Sequence, residues 1–160
     1  MIDINKNITI KLILIISVVA LASAFFIEHI LGHQPCNLCV IERIPYLLSL
    51  IIIVLNYKFV HFEKVFFLIL TLIFLAATTL SLYHLGIEQG FIEESFVCGL
   101  QNGSNLISKE DILKQLQQQN VSCQNVTFRI FGLSLTSYNV IISLVISIST
   151  AKIYFNYGKA

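Results

Sequence analysis

The chain has 160 residues, of which 56% are hydrophobic and only 12% charged, where a soluble domain carries roughly a quarter charged. A mean hydropathy of +0.83 all but excludes a water-soluble globule. Ten basic against nine acidic residues leave a net charge of +1, so no basic surface calls for nucleic acid.

A membrane-crossing helix needs about 20 mostly apolar residues, because hydrocarbon offers no partner to exposed backbone groups. The first such run covers 8–27. Lys6 and Lys11 give it a basic start, and Ala22-Ser23-Ala24 resembles a signal-peptide cleavage site. The apolar run continues past that site through Phe25, Phe26 and Ile27, so it reads as an uncleaved anchor. The second run, 45–57, has only 13 residues. Begun at Cys36 it becomes 36–57, 22 residues or about 33 Å at 1.5 Å per residue, which is enough to span. The third, 65–87, is apolar apart from Thr, Ser and a late Tyr83-His84. In the loop after it, Ser108-Lys109-Glu110-Asp111 reads as a helix start. Ile112, Leu113 and Leu116 then form an apolar stripe, giving a short amphipathic helix that lies in the membrane interface or packs as an ordinary loop helix. The fourth run, 131–155, is Ser-rich up to Lys152. The expectation is one integral membrane domain of all-α class: a four-helix bundle with outer loops 28–35 and 88–130, the latter carrying the amphipathic helix.

Orientation follows from the positive charges beside the spans. Lys6, Lys11, Lys58, Lys64, Lys152 and Lys159 stand on the side of the N-terminus, the 56–64 loop and the C-terminus, opposed only by Asp3 and Glu63, a net +4. The other side carries Arg43, Lys109, Lys114 and Arg129 against Glu28, Glu42, Glu88, Glu93, Glu94, Glu110 and Asp111, a net −3. Both termini are therefore expected in the cytoplasm.

All four cysteines fall on the outer side, Cys36 and Cys39 in the first loop and Cys98 and Cys123 in the second. Disulfides persist outside a bacterial cytoplasmic membrane or in the secretory lumen, and three pairings are formally possible. Cys36-Asn37-Leu38-Cys39 is a Cys-x-x-Cys at a helix start, where the helix N-terminus and a nearby cation stabilise a thiolate. Continued as helix, positions 36, 39 and 43 share one face, so Arg43 sits one turn below Cys39. An arginine at that depth is expensive, and stabilising a thiolate or the oxygen of an electron acceptor gives it a reason; snorkelling to the headgroups is the plainer one. Pro45 disfavours continuous helix there. A four-sulfur zinc cage is the metal alternative, although the gap from 98 to 123 is wide for one. Inert structural staples are another reading. His29 and His33 read as wet loop residues. His84 reads as interface decoration, or as a donor to a quinone carbonyl. Three Asn-x-Ser/Thr triplets, at Asn102, Asn120 and Asn125, read as chance matches to glycosylation acceptors.

Four spans, Pro35-Cys36-x-x-Cys39 opening the second, then Glu42-Arg43, resemble the bacterial disulfide bond formation protein B (DsbB) family. The likeness continues in Tyr83-His84-Leu-Gly-Ile-Glu88, in the loop pair Cys98 and Cys123, and in Gly132-Leu-Ser-Leu before the last span. It covers nearly the whole chain. Ile41 stands where the family usually has an aromatic, and Pro45 is unusual. The resemblance implies an inner-membrane protein-disulfide:quinone oxidoreductase whose acceptor is ubiquinone or menaquinone. Its implied partner is a periplasmic, thioredoxin-fold oxidase of DsbA type, which attacks a Cys98–Cys123 disulfide at Cys98. Cys123 then attacks Cys36, and Cys39 becomes the thiolate facing the quinone. Arg43 would polarise that quinone and His84 hydrogen-bond it, while Gly90, Gly99 and Gly103 ease the loop's motion. A vitamin K epoxide reductase-like protein is the enzymatic rival, but it is expected to put its Cys-x-x-Cys in a late span. A tetraspanin-like organiser would want Cys-Cys-Gly, and only Cys98-Gly99 is present.

Overall fold

Each long apolar run satisfies its backbone within itself as helix, as a membrane-spanning segment must. The computed structural model describes residues 2–94, 98, 122–124, 129–130 and 132–157. In chain order these form α1 (Ile2–His29), α2 (Asn37–Ile41), α3 (Ile44–Lys58), a 3-10 turn (Val60–Phe62), α4 (Glu63–Glu88), an antiparallel ribbon of β1 (Arg129–Ile130) and β2 (Leu133–Ser134), and α5 (Leu135–Asn156). Four helical passages are long and apolar enough to cross a membrane: Lys6–His29, Asn37–Lys58, Glu63–Glu88 and Leu135–Asn156. The all-α four-helix expectation holds. The proposed amphipathic helix around Ser108 to Leu116, and Gly99 and Gly103, lie outside the described residues.

The second passage is not one continuous helix. Glu42 closes α2, its N–H bonded to Leu38 O at 2.9 Å, and Arg43 N reaches Val40 O in a tighter turn. Pro45 then stands in the first turn of α3, where its missing N–H costs nothing. The helical hydrogen-bond ladder is therefore interrupted at Glu42 and Arg43, although both keep right-handed helical backbone angles. The last helix begins at Leu135 rather than 131. Arg129 pairs with Ser134 and Ile130 with Leu133 around the turn. Gly132 has φ 82° there, a conformation that glycine adopts without a Cβ penalty. Ser134 then caps α5, its Oγ accepting from Ser137 N at 3.3 Å, as a serine at that position should.

Helix α4 stops just after Glu88 for an equally local reason. Gly90, at φ 76°, bonds Ile87 O while Phe91 N bonds Gly86 O at 2.9 Å, the paired cap that satisfies a helix's last carbonyls.

Inside the bundle, Ile13, Tyr46, Ile53, Phe67, Phe74 and Ile146 form the buried core. The outward faces are apolar too: Leu12, Val54, Leu75 and Val145 are each at least half exposed. In water such a surface would aggregate, but against lipid it is the expected solvent-facing side. Small hydroxyl residues line the helix contacts. Ser17 Oγ meets Ser49 Oγ at 2.8 Å between α1 and α3. Thr78 donates to Ser143 at 3.1 Å and Thr71 to Thr150 at 3.0 Å between α4 and α5. Such interhelical bonds contribute about 0.6 kcal/mol each in membranes, so close backbone approach matters more than the bonds. At the end holding the N-terminus of α1, Glu63 Oε2 accepts from Lys6 Nζ at 2.7 Å and from Tyr157 OH at 2.9 Å, joining α1, α4 and α5.

Candidate active site

The segment before α2 enters through Pro35, and Cys36 takes an extended conformation (φ −71°, ψ 166°) as the helix cap. Its Sγ accepts from Cys39 N at 3.2 Å, so the sulfur stands over the first turn. Cys36 and Cys39 form one disulfide, with Cα atoms 5.1 Å apart. Cys98 and Cys123 form the other, at 5.9 Å. Of the three formal pairings this is the one adopted. The two disulfides lie together. Cys36 and Cys123 are buried in one apolar cluster with Leu38 and Ile87, and Cys39, Cys98, Ile41, Leu80 and Tyr83 pack around it.

His84 is far from decoration. It is 1% exposed, with Nε2 at 3.6 Å from Cys36 Sγ and Nδ1 at 2.9 Å from Glu42 Oε1. Glu42 Oε2 in turn accepts from Asn139 Nδ2 at 2.9 Å. The imidazole thus bridges a carboxyl engaged on both oxygens and the Cys36 sulfur. Asn139 also donates to Ser81 Oγ at 2.8 Å and accepts from the Tyr46 hydroxyl. One polar network thus links the α2–α3 passage, α4 and α5 around a single sulfur.

The sequence singled out His84 but passed over its partners. Glu42 and Glu88 enter there as outer-side charges and as parts of the family motifs, with no role of their own, and Tyr46, Ser81, Thr136 and Asn139 only as span residues. The available signal was an acid inside or at the rim of an apolar run, which is costly enough in a membrane to imply a partner. His84 and Glu88 stand four apart on one helix face, and Thr136 and Asn139 three apart on another, the spacings at which side chains meet.

Arg43 is placed differently. Its Nη1 pairs with Glu28 Oε2 at 2.6 Å, and its guanidinium lies 5.5 Å from the centre of the Phe25 ring. Phe25 shares an open apolar surface of α1 with Ala22, Phe26, His29 and Ile30. His29 bonds its own helix through Phe25 O at 3.2 Å. The sulfurs of Cys36 and Cys39 and a nitrogen of His84 lie within 4.8 Å of one another, but the two sulfurs are spent on a disulfide rather than offered as thiolates.

The loop disulfide has its own anchor. Glu94 Oε1 accepts from the Ser122 hydroxyl and from Gln124 N at 2.9 Å, gripping both neighbours of Cys123. The Ser122 bond first, then those from the backbone of Gln124 and Cys123, hold the Glu94 carboxyl below its ordinary 4.5. A carboxyl lowered on folding adds stability that is complete above its unfolded value and lost as pH falls through the folded one. Phosphine reduction of Cys98–Cys123 is therefore expected to quicken as pH drops below that range. Glu94→Gln should be as fast at neutral pH as wild type is in acid, and a wild-type profile that stays flat would contradict the anchor.

The sequence matches the family model of Disulfide bond formation protein DsbB over residues 6–153. The chain belongs to the DsbB family. It is 35% identical over 150 residues to Uncharacterized protein RP370 of Rickettsia prowazekii (strain Madrid E), covering 91% of this chain and 85% of that protein. No solved structure matches. As a DsbB-family protein with four apolar passages, it is a multi-pass membrane oxidoreductase of disulfide formation.

Proposed function

We propose that this DsbB-family chain reoxidises a periplasmic, DsbA-like thioredoxin-fold dithiol oxidase and passes the electrons to membrane quinone. In this reading it lies in the bacterial inner membrane with both termini cytoplasmic and its cysteines facing the periplasm. The charge asymmetry of +4 against −3 supports that orientation. The observation that carries the function is the burial of Cys36 and Cys123 in one cluster. Exchange between two disulfides needs a thiolate to approach a disulfide sulfur directly, and here the two already pack together.

A thiolate of the partner attacks Cys98, and the Cys98–Cys123 bond breaks. Cys123 leaves as thiolate and attacks Cys36, so Cys39 leaves as thiolate in its turn. The partner's second thiolate closes its own disulfide and releases the Cys98 thiolate, which attacks Cys123, so that Cys98–Cys123 re-forms and Cys36 leaves. His84 Nε2, facing Cys36 Sγ, then gives that sulfur its proton and takes it back when Cys36–Cys39 closes, with Glu42 holding the ring. The residues fit a quinone: the Arg43 guanidinium over the Phe25 ring sets a cation beside an apolar aromatic face, which suits a lipophilic molecule with a carbonyl head. Arg43 would hold that oxygen. When bound, a quinone supplies a sink for two electrons and two protons.

The test is quinone reduction by the reconstituted protein with a reduced DsbA-type partner. Cys39→Ser is expected to abolish it, and Cys123→Ser to trap the partner on Cys98 as a mixed disulfide. Turnover that survives Cys39→Ser would overturn this reading, and no turnover in wild type would return the disulfides to the role of staples.

A further inference from the structure

One turn beyond His84, the side chain of Glu88 is 7% exposed, and its Oε1 lies 3.8 Å from His84 Nε2. Thr136 Oγ1 donates to that same oxygen at 2.6 Å. Oε2 is buried with no hydrogen-bond partner among the described residues. Glu42 is a useful contrast, since both its oxygens are engaged, by His84 and by Asn139. A carboxyl serving only as glue would be satisfied in that way. An ionised oxygen buried without a donor is costly, and a proton on it removes most of the cost.

We propose that Glu88 is the proton store of the redox site, taking the proton of Cys36 when the Cys36–Cys39 disulfide closes and returning it when the bond opens. This rests on the thiol-oxidation reading above. On closing, the Cys36 S–H bond breaks and one S–S bond forms with the Cys39 thiolate. Two electrons pass to the quinone-class acceptor. The Cys36 proton moves to His84 Nε2 and then to Glu88. Two protons drawn from water at the outer surface complete the reduced acceptor. The groups touching Glu88 and His84 are Cys36 and Glu42 from the α2–α3 passage and Thr136 from α5, with Asn139 behind Glu42 and Tyr46 behind Asn139. Glu42 is the poorer store, because protonating either oxygen would cost it a bond to His84 or Asn139. Glu88 instead ends its helix beside exposed Gln89 and Gly90, close to water.

Redox-difference infrared spectroscopy of the quinone-free protein, reduced with a soluble dithiol, tests this without turnover. The oxidised form is expected to show a protonated-carboxyl band that disappears on reduction and is missing in Glu88→Gln. Thr136→Val, which removes only the donor to Oε1, should keep the band and shift its frequency. With quinone, closing of Cys36–Cys39 should slow at least about tenfold in Glu88→Gln and recover in Glu88→Asp. A wild-type spectrum without the band, or a band that survives Glu88→Gln, overturns the store. If quinone is reduced but no band exists, the store falls and the oxidase reading stands. If the band is present but quinone is never reduced, the store stands and that reading falls.

Discussion

His84→Gln is expected to slow closing of the Cys36–Cys39 disulfide by about a hundredfold or more, within the range that a positioned acid–base group contributes. Glutamine keeps much of the volume and a polar end, but it cannot take up the Cys36 proton that Nε2 faces at 3.6 Å. The rate is read by rapid mixing of the reduced protein with quinone, followed by alkylation of the remaining thiols. A second rate serves as control: formation of the mixed disulfide with a DsbA-type partner at Cys98. That step occurs at the loop pair, joined across a sequence separation of 25, and needs nothing from the imidazole. It should be unchanged. Equal slowing of both steps would show that His84 matters only for packing.

Asn139→Ala is the substitution expected to cost the most stability. One carboxamide serves the Tyr46 hydroxyl, Glu42 Oε2 and Ser81 Oγ, three groups brought from two other passages. Each buried polar group left unsatisfied costs about 1–3 kcal/mol, so the loss should reach about 3 kcal/mol even if one group finds a new partner. Asn139→Asp, nearly the same shape, is expected to be no milder, because it sets a second carboxylate against Glu42. Unfolding in mixed micelles by increasing denaturing detergent measures both. A cost below about 1 kcal/mol for Asn139→Ala would mean that the network adds little to the fold.

The parts of this protein that were legible in its sequence are those written in runs and sums. Four apolar stretches announced four helical passages, and the cysteines declared themselves by their spacing and by the company of Glu42, Arg43 and His84. The polar network was hidden because its bonds join distant positions. Glu42 meets Asn139 across 97 residues and His84 across 42, and no local period records such a meeting. The partners of Arg43 were hidden in the same way: Glu28 lies on the preceding passage, 15 residues away, and no helical period connects the two. The start of the last passage moved from 131 to Leu135 because apolarity does not distinguish a short strand from a helical turn. There Gly132 and Ser134, a turn residue and a cap, were the better guides.

The break at Glu42 and Arg43 also has a mechanical meaning. Proline has no N–H to give, so Ile41 cannot receive the usual bond from Pro45, and the backbone ladder is cut between the cysteine-bearing turn and the long helix below it. The five-residue helix thus owes little of its position to the backbone of α3. It is held by its buried Leu38 and by Glu42, bonded to His84 and Asn139, while Ser49 and Tyr46 separately hold α3 against its neighbours.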